Sequence, residues 1–326
     1  MQRLFTFPSQ NLHLVIPLSM ILGVFLGIFV NTEQLRAIIL PLTFVMVVSA
    51  MLGFPWRALF HRHGNKILCI SLVINFIIVP FVAWLTITIF PLTPEMAIGF
   101  IFLAALPTSS MSIIWTVLAK GNVQAAVRMS TVGLLIGSFL LPIYLFFIVG
   151  QTIAIPLKDV FLSIVLMVIL PLLISQVVQK FLAYNKYDNF QRITGYYLPN
   201  INSWLLSIII LLNISLQVEG LIQYKQQIVV LIFAFTFFYI LTFSIATIIS
   251  KKWFNKEDGI ALVYGTAIRH LTISLGITIA AFGGITVFVI TFAYVFQAQA
   301  AAWYGKIANK YIWKSAIITE NSNITN

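Results

Sequence analysis

Arg269 and His270 sit side by side in EDGIALVYGTAIRHLTISLGITIAAFGG, the stretch from Glu257 to Gly284, which is otherwise apolar enough for a lipid bilayer. Glu257 and Asp258 suit the first turn of a helix, where carboxylates meet the positive end of the dipole. Arg269 lies twelve residues beyond Glu257, about 18 Å along a helix and so near the middle of a ~30 Å hydrocarbon core. An arginine at that depth costs about 2.5–3.5 kcal/mol on insertion scales, so it must face a polar cavity or a partner. Two roles stay open: a binding residue, or a structural tie to backbone carbonyls of a neighbouring helix. Gly265, Thr266 and Thr272 around it favour a local break in the helix. A second polar group, Thr108, Ser109 and Ser110, follows Pro107 in another apolar run. Such residues recognise a solute without breaking bonds in it. A guanidinium can grip an anion, a carboxylate in particular through two parallel N–H donors, while hydroxyls add neutral hydrogen bonds. Arg269, His270, Thr108, Ser109, Ser110 and Thr272 are therefore candidate substrate-binding residues.

The setting must be a membrane. With 60% hydrophobic and 8% charged residues over 326 positions, the chain has too little polar surface for a soluble globule. Residues 12–30 read as a first membrane helix and not as a cleavable leader, because VNTEQ after them offers no small-residue cleavage site. The single cysteine, Cys69, excludes an internal disulfide and a multi-cysteine metal site. No cofactor is expected.

Apolar runs of membrane length fall near 12–30, 37–53, 67–90, 95–119, 123–149, 157–179, 197–217, 227–250, 257–282 and 285–305, which predicts ten transmembrane helices. With both termini on one side, that side receives fourteen basic residues: Arg3, Arg57, Arg62, Lys66, Lys120, Lys180, Lys186, Arg192, Lys251, Lys252, Lys256, Lys306, Lys310 and Lys314. The other side has Arg36, Lys158 and Lys225, and Arg128 and Arg269 fall within spans. The bias places both termini in the cytoplasm, of a bacterial inner membrane by expectation. It also accounts for the net charge of +11 as orientation signal and attraction to anionic lipid, so no nucleic-acid partner is implied. The eight acids, Glu33, Glu95, Asp159, Asp188, Glu219, Glu257, Asp258 and Glu320, lie in loops, tails or terminal turns. Proton relays and neutralised cation sites usually need a carboxylate at mid-membrane depth, and none is placed there.

The fourth span, Glu95 to Asn122, lies over the ninth with a constant offset of 162: Glu95 meets Glu257, Pro107 meets Arg269, Ser110 meets Thr272, Ser112 meets Ser274 and Gly121 meets Gly283. Five spans precede position 150 and five follow, so the second copy enters from the opposite side as an inverted repeat. Pro107 removes a backbone donor, and the hydroxyls after it can satisfy groups that a break frees. Paired interruptions in corresponding helices point to a substrate site at the midplane.

The runs NFIIVPFVAWL (Asn75 to Leu85), ALPTSSMSIIWTVLAKGNVQAAVRMSTVG (Ala105 to Gly133) and ED…GTAIRH…FG resemble the bile acid:sodium symporter superfamily, which includes the arsenite efflux permeases. The resemblance covers nearly the whole chain, and LAKGN is its most specific piece. It implies an all-α membrane protein forming a single transmembrane domain over 1–326. Its ten helices form two inverted five-helix repeats, about 12–149 and 157–305, with helices 4 and 9 broken and crossing. Helices 3–5 and 8–10 would form a core that moves against a panel of helices 1, 2, 6 and 7. It leaves Asn75, Ser112 and Ser130 as oxygen donors for an ion, with Thr266 a further candidate for that site, and Asn75 and Ser112 join the substrate-binding set.

Departures from the family's pattern weigh against its usual sodium coupling. A Ser-Asn ion ligand pair reads Ser112-Ile113, the helix-9 glutamate falls at Gly265, and a nearby glutamine falls at Arg269. A fixed guanidinium replaces a cation electrostatically and disfavours another nearby. The arsenite branch places a cysteine just after the helix-4 proline, where a soft thiolate suits arsenic; this chain has Thr108 there and Cys69 in helix 3.

Arg128 lies about 9 Å past Asn122 and can snorkel to the cytoplasmic interface or face the cavity. His61 and His63 read as a solvated basic loop, and Gln124, Gln297 and Gln299 as possible cavity wall without a motif. The spans hold no carboxylate beyond their terminal turns, one cysteine, two histidines (His13 and His270) and no HExxH motif, so an enzyme is not expected. The sequence thus predicts a secondary transporter, its substrate a small organic anion. Arsenite or antimonite efflux is the alternative, and a non-transporting membrane receptor the second. Fusion reporters at the C-terminus and within 180–196 should both report the cytoplasm; a periplasmic signal from either would overturn the ten-span topology.

Overall fold

The computed structural model describes residues 2–52, 65–148, 150, 157–185, 192–218, 225–282, 284–308 and 312. Arg57, Arg62, Lys186, Lys310, Lys314, His61, His63, Asp188, Glu219, Gly283 and Glu320 lie outside the described residues. Those described are almost entirely helical, and no strand occurs among them.

In chain order the helices are α1 (Gln2–Gln10), α2 (Leu12–Phe29), α3 (Arg36–Met51), α4 (Asn65–Ile89), α5 (Pro94–Ala105), α6 (Ser110–Leu118), α7 (Val123–Ile148), α8 (Lys158–Phe181), α9 (Ile193–Ser215), α10 (Lys225–Trp253), α11 (Lys256–Ala267), α12 (Leu271–Ala281) and α13 (Gly284–Ile307). Seven described helices are long and apolar enough to cross a bilayer: α3 with its leading turn, α4, α7, α8, α9, α10 and α13. The first two helices form a bent pair, Leu4–Gln10 turning by 102° from Leu14–Phe29. The predicted fourth and ninth spans are each interrupted, α5 from α6 and α11 from α12.

Those two interruptions share a grammar. Thr93 caps α5, its hydroxyl accepting from the Met96 N–H, with Pro94 opening the helix and Glu95 in its first turn. Asn255 caps α11 in the same way through the Asp258 N–H, with Glu257 and Asp258 in the first turn. Both helices run twelve residues. The caps, the first residues and the last residues all differ by 162, the offset found in the sequence.

Burial divides the helices into two kinds. From Met96 to Ala105 and from Gly259 to Ala267 every residue is buried, as expected of helices that are apolar all round and lie in the middle of a bundle. By contrast α2 exposes Leu14, Leu18, Ile21 and Phe25, and α7 exposes Phe139, Ile143 and Phe146; these faces suit lipid.

Three of the prolines within helices are accommodated by a recurring device, whereas Pro17, Pro41 and Pro142 lie in regular α-helix. Five-residue π-helical segments, Ile74–Ile78, Val165–Ile169 and Ile193–Tyr197, each end two residues before a proline: Pro80, Pro171 and Pro199. A proline lacks the N–H and its ring crowds the carbonyl four residues back, and one wide turn moves that carbonyl aside. At Pro80 that carbonyl belongs to Phe76, and the Tyr144 hydroxyl of α7 donates to it at 2.6 Å.

Gly23 and Gly27 bring α2 against the backbone of α9: a Cβ on Gly27 would lie 2.3 Å from the Ser215 oxygen and one on Gly23 2.6 Å from the Leu211 oxygen. Small residues four apart let membrane helices approach this closely. Gly27→Ala should therefore lower stability by about 1–3 kcal/mol, read as a lower melting temperature in detergent. Gly195→Ala, where a Cβ meets nothing within 4 Å, should be near neutral.

Candidate functional site

Breaking a helix frees carbonyls that have lost the N–H four residues ahead, and at mid-membrane depth no water replaces it. In the first break Pro107 has no N–H for Leu103, and Thr108 turns away from Ala104. In the second, Gly265 and Thr266 lose the N–H groups of Arg269 and His270. The site is the set of groups that answers these losses.

Two segments of backbone meet between the breaks. Pro107 and Arg269 form an antiparallel bridge, and the His270 N–H donates to the Leu106 oxygen at 2.9 Å. The bridged residues are the pair that the offset of 162 superposes. Gln297 of α13 clasps the other edge, its Oε1 accepting from the Arg269 N–H at 2.7 Å and its Nε2 donating to the Arg269 oxygen at 3.2 Å. From α7 a close approach at Gly137 lets Pro107 in, since a Cβ there would lie 2.8 Å from the proline Cδ.

Arg269 is wholly buried. Its Nε donates to the Leu103 oxygen at 2.9 Å and its Nη2 to the Ala104 oxygen, both freed at the end of α5. Nη1 donates to the Thr266 oxygen at 2.9 Å and to Asn75 Oδ1. The guanidinium thus lies between the C-terminal ends of α5 and α11, each carrying roughly half a negative charge. Four of its five N–H donors have protein acceptors. Of the two roles open in the sequence, the tie to backbone carbonyls is present in this conformation.

Asn75 completes the arrangement from α4. It lies in the π segment, buried, and its Nδ2 donates to the Gly265 oxygen at 3.3 Å and the Ser71 Oγ at 3.1 Å. Those two acceptors fix the amide so that its oxygen turns to Arg269. Thr108 reaches the Gly265 oxygen too, its Oγ1 donating at 2.6 Å. It does so with φ of 50°, a left-handed conformation that costs a β-branched residue about 1–2 kcal/mol.

The other candidates divide in two. Ser112 and Thr266 are buried and turned to their own helices: Ser112 Oγ donates to the Ser109 oxygen at 2.7 Å and Thr266 Oγ1 to the Leu262 oxygen at 2.8 Å. Ser130 Oγ donates to the Thr108 oxygen at 3.2 Å. Ser109, His270 and Thr272 stand at the N-terminal ends of α6 and α12. Ser109 caps α6 through the Met111 N–H, His270 is the residue before α12 and its Nδ1 is buried with no hydrogen-bond partner, and Thr272 accepts from the Tyr294 hydroxyl at 3.1 Å. Ser110 opens α6; its side chain is outside the described set. Arg128 donates to Asn65 Oδ1 at 2.9 Å, at the first residue of α4.

The LAKGN turn explains itself in the same terms. Lys120 takes a positive φ of 58°. The Asn122 N–H donates to the Glu257 oxygen, its Nδ2 donates to Asp258 Oδ1 at 2.7 Å, and its Oδ1 accepts from the Ala125 N–H. One asparagine therefore joins the start of α7 to the start of α11.

Compared with known proteins, residues 40–224 match the model of the Sodium Bile acid symporter family. The uncharacterized protein YbaS of Bacillus subtilis is 21% identical over 306 residues, 91% of this chain and 96% of its own. The uncharacterized protein PA2026 of Pseudomonas aeruginosa is 48% identical over 59 residues, 18% of each chain.

Asn75→Leu should be costly, because it leaves the Gly265 oxygen short of a donor and one guanidinium N–H without an acceptor. A loss of about 2–5 kcal/mol is expected, larger than for Thr108→Val, and a thermal melt in detergent would measure both. Equal, small losses would show that the network carries little of the fold's stability.

Proposed function

From the premise that the chain belongs to the sodium bile acid symporter family and is a multi-pass membrane protein, we propose that it is a secondary transporter moving a small organic anion by alternating access. The observation that carries this reading is the crossing of two interrupted helices, buried at their breaks, about Arg269. Irregular backbone at membrane depth is the construction that inverted-repeat carriers use for substrate.

The ten-helix inverted repeat belongs to the proposal. The fourth and ninth spans are α5 with α6 and α11 with α12, and the first is α2. The matching caps and bounds of α5 and α11 support it. The core is α4–α7 with α10–α13, and the panel is α2, α3, α8 and α9, with α2 and α9 in close backbone contact. Both termini face the cytoplasm.

An anion is favoured by charge. Arg269 offsets the negative ends of α5 and α11, which leaves the positive ends of α6 and α12 without a counter-charge. The anion is held at the positive pair, by Ser109, Ser110, His270 and Thr272 with free N–H groups of the first turns. The thiol-dependent arsenite reading lacks a thiol at the crossing: Thr108 follows Pro107, and Cys69 is exposed on α4.

Purified protein in liposomes should accumulate labelled small carboxylates, and replacing Na⁺ by choline at constant ionic strength should leave uptake within about twofold. Transport confined to neutral arsenite would overturn the anion, and a steep, saturable Na⁺ dependence would overturn the independence from sodium.

A further inference from the structure

The groups around Arg269 are those of a cation site. Three are backbone carbonyl oxygens, of Leu103, Ala104 and Thr266, and the fourth is the amide oxygen of Asn75. All are hard, neutral oxygens, and they come from three elements, α4, α5 and α11. In carriers with broken helices, unwound carbonyls and half-helix C-terminal ends are the groups that hold a coupling cation. Here every one of those four is taken by a positive group on the chain itself.

We propose that Arg269 is a resident cation, its guanidinium standing permanently where a coupling ion would otherwise bind. The inference deepens the transporter reading and rests on it for the link to coupling, whereas occupancy of the oxygen cage is a question of binding alone. The helix ends supply the reason a cation is needed. Two negative ends converge on one point, and the described residues hold no cluster of three or more acidic, histidine or cysteine side chains for a metal. Without a positive charge the two ends repel and the freed carbonyls stand empty. With Arg269 in place the crossing assembles with no ion from solution, and a second cation within a few ångströms is repelled.

The arrangement is pre-set for a guanidinium. Asn75 has its amide orientation fixed by Ser71 and the Gly265 oxygen before it meets the arginine. Arg269 has its own peptide gripped on both sides by Gln297. The planar fork therefore enters a cage whose acceptors are already aimed, as a fixed ion ligand would be. Arg269 is a positioning residue on this view: it orders the broken helices, and the solute binds at their other ends.

The test is the cation dependence of stability, which packing alone would not create and which needs no transport. The full chain, purified in detergent with choline as the background cation, is melted with Na⁺, K⁺ or guanidinium added at about 10 mM, a level that stabilises in proportion to occupancy. Wild type should be indifferent to all three. Arg269→Ala and Arg269→Gln should melt lower and recover with guanidinium, saturably, most fully in the alanine variant, where the cage is open. Arg269→Lys keeps a charge and should stay indifferent. Should neither neutral variant fold while the lysine variant does, the charge itself is required, which also supports the proposal. Neutral variants that ignore every cation, a wild type stabilised saturably by Na⁺, or failure of all three variants to fold would each overturn it. The last of these would assign the requirement to the shape of the guanidinium. Loss of uptake with the cation response intact would instead count against the transporter reading alone.

Discussion

A buried arginine held between the ends of two helices does two tasks that a membrane makes hard to separate. Interrupting a helix inside hydrocarbon strands several carbonyls, and burying a charge there strands a guanidinium. Each defect is unaffordable alone, yet the carbonyls of Leu103, Ala104 and Thr266 are acceptors and the guanidinium of Arg269 is all donors. Placed together they cancel. The rest of the crossing is arranged to keep that cancellation in register: Gln297 on the arginine's peptide, Asn75 on its side chain, and Thr108 on the carbonyl that Arg269 itself abandons.

The same economy governs three of the prolines. Pro80, Pro171 and Pro199 each remove a donor from a helix that must cross or face lipid, and each is preceded by one wide turn. The wide turn before Pro80 carries Asn75. A helix distortion caused by a missing N–H thus places the one side chain of α4 that touches both Gly265 and Arg269. Local backbone chemistry and the composition of the site are linked at that position.

Much of this could be read from residue types and spacing, and the remainder could not, for definite reasons. The burial of Arg269 between helices follows from its place in the middle of an apolar run, and the first break from Pro107 with its hydroxyl neighbours. The second break has no proline or glycine between Ala267 and Leu271, so it rests on the weaker signal of Gly265, Thr266 and Thr272 and on the offset of 162. The partners of Arg269 were illegible because carbonyls belong to every residue, and sequence does not say which have lost their donors. Gln297 could be noted as polar but given no task, since its partner is a peptide group. The left-handed Thr108 runs against the preference of a β-branched residue, and nothing local announces it. Gly23 and Gly27 show the opposite case, a legible spacing whose partner helix only the fold identifies.

Asn122 has a mechanical consequence. The chain leaving α6 is pinned to the first turn of α11 by Asn122, and the far ends of α5 and α11 are pinned to each other through Arg269. The crossed arms therefore form a braced truss, tied at separate points along α11. A truss of this kind resists shear along either arm, because sliding one would rupture ties at both points together. It can still tilt as a unit. On the proposed alternating-access reading, access to its two faces would be set by rocking of the braced assembly against its neighbours, with the joint at its centre unopened throughout.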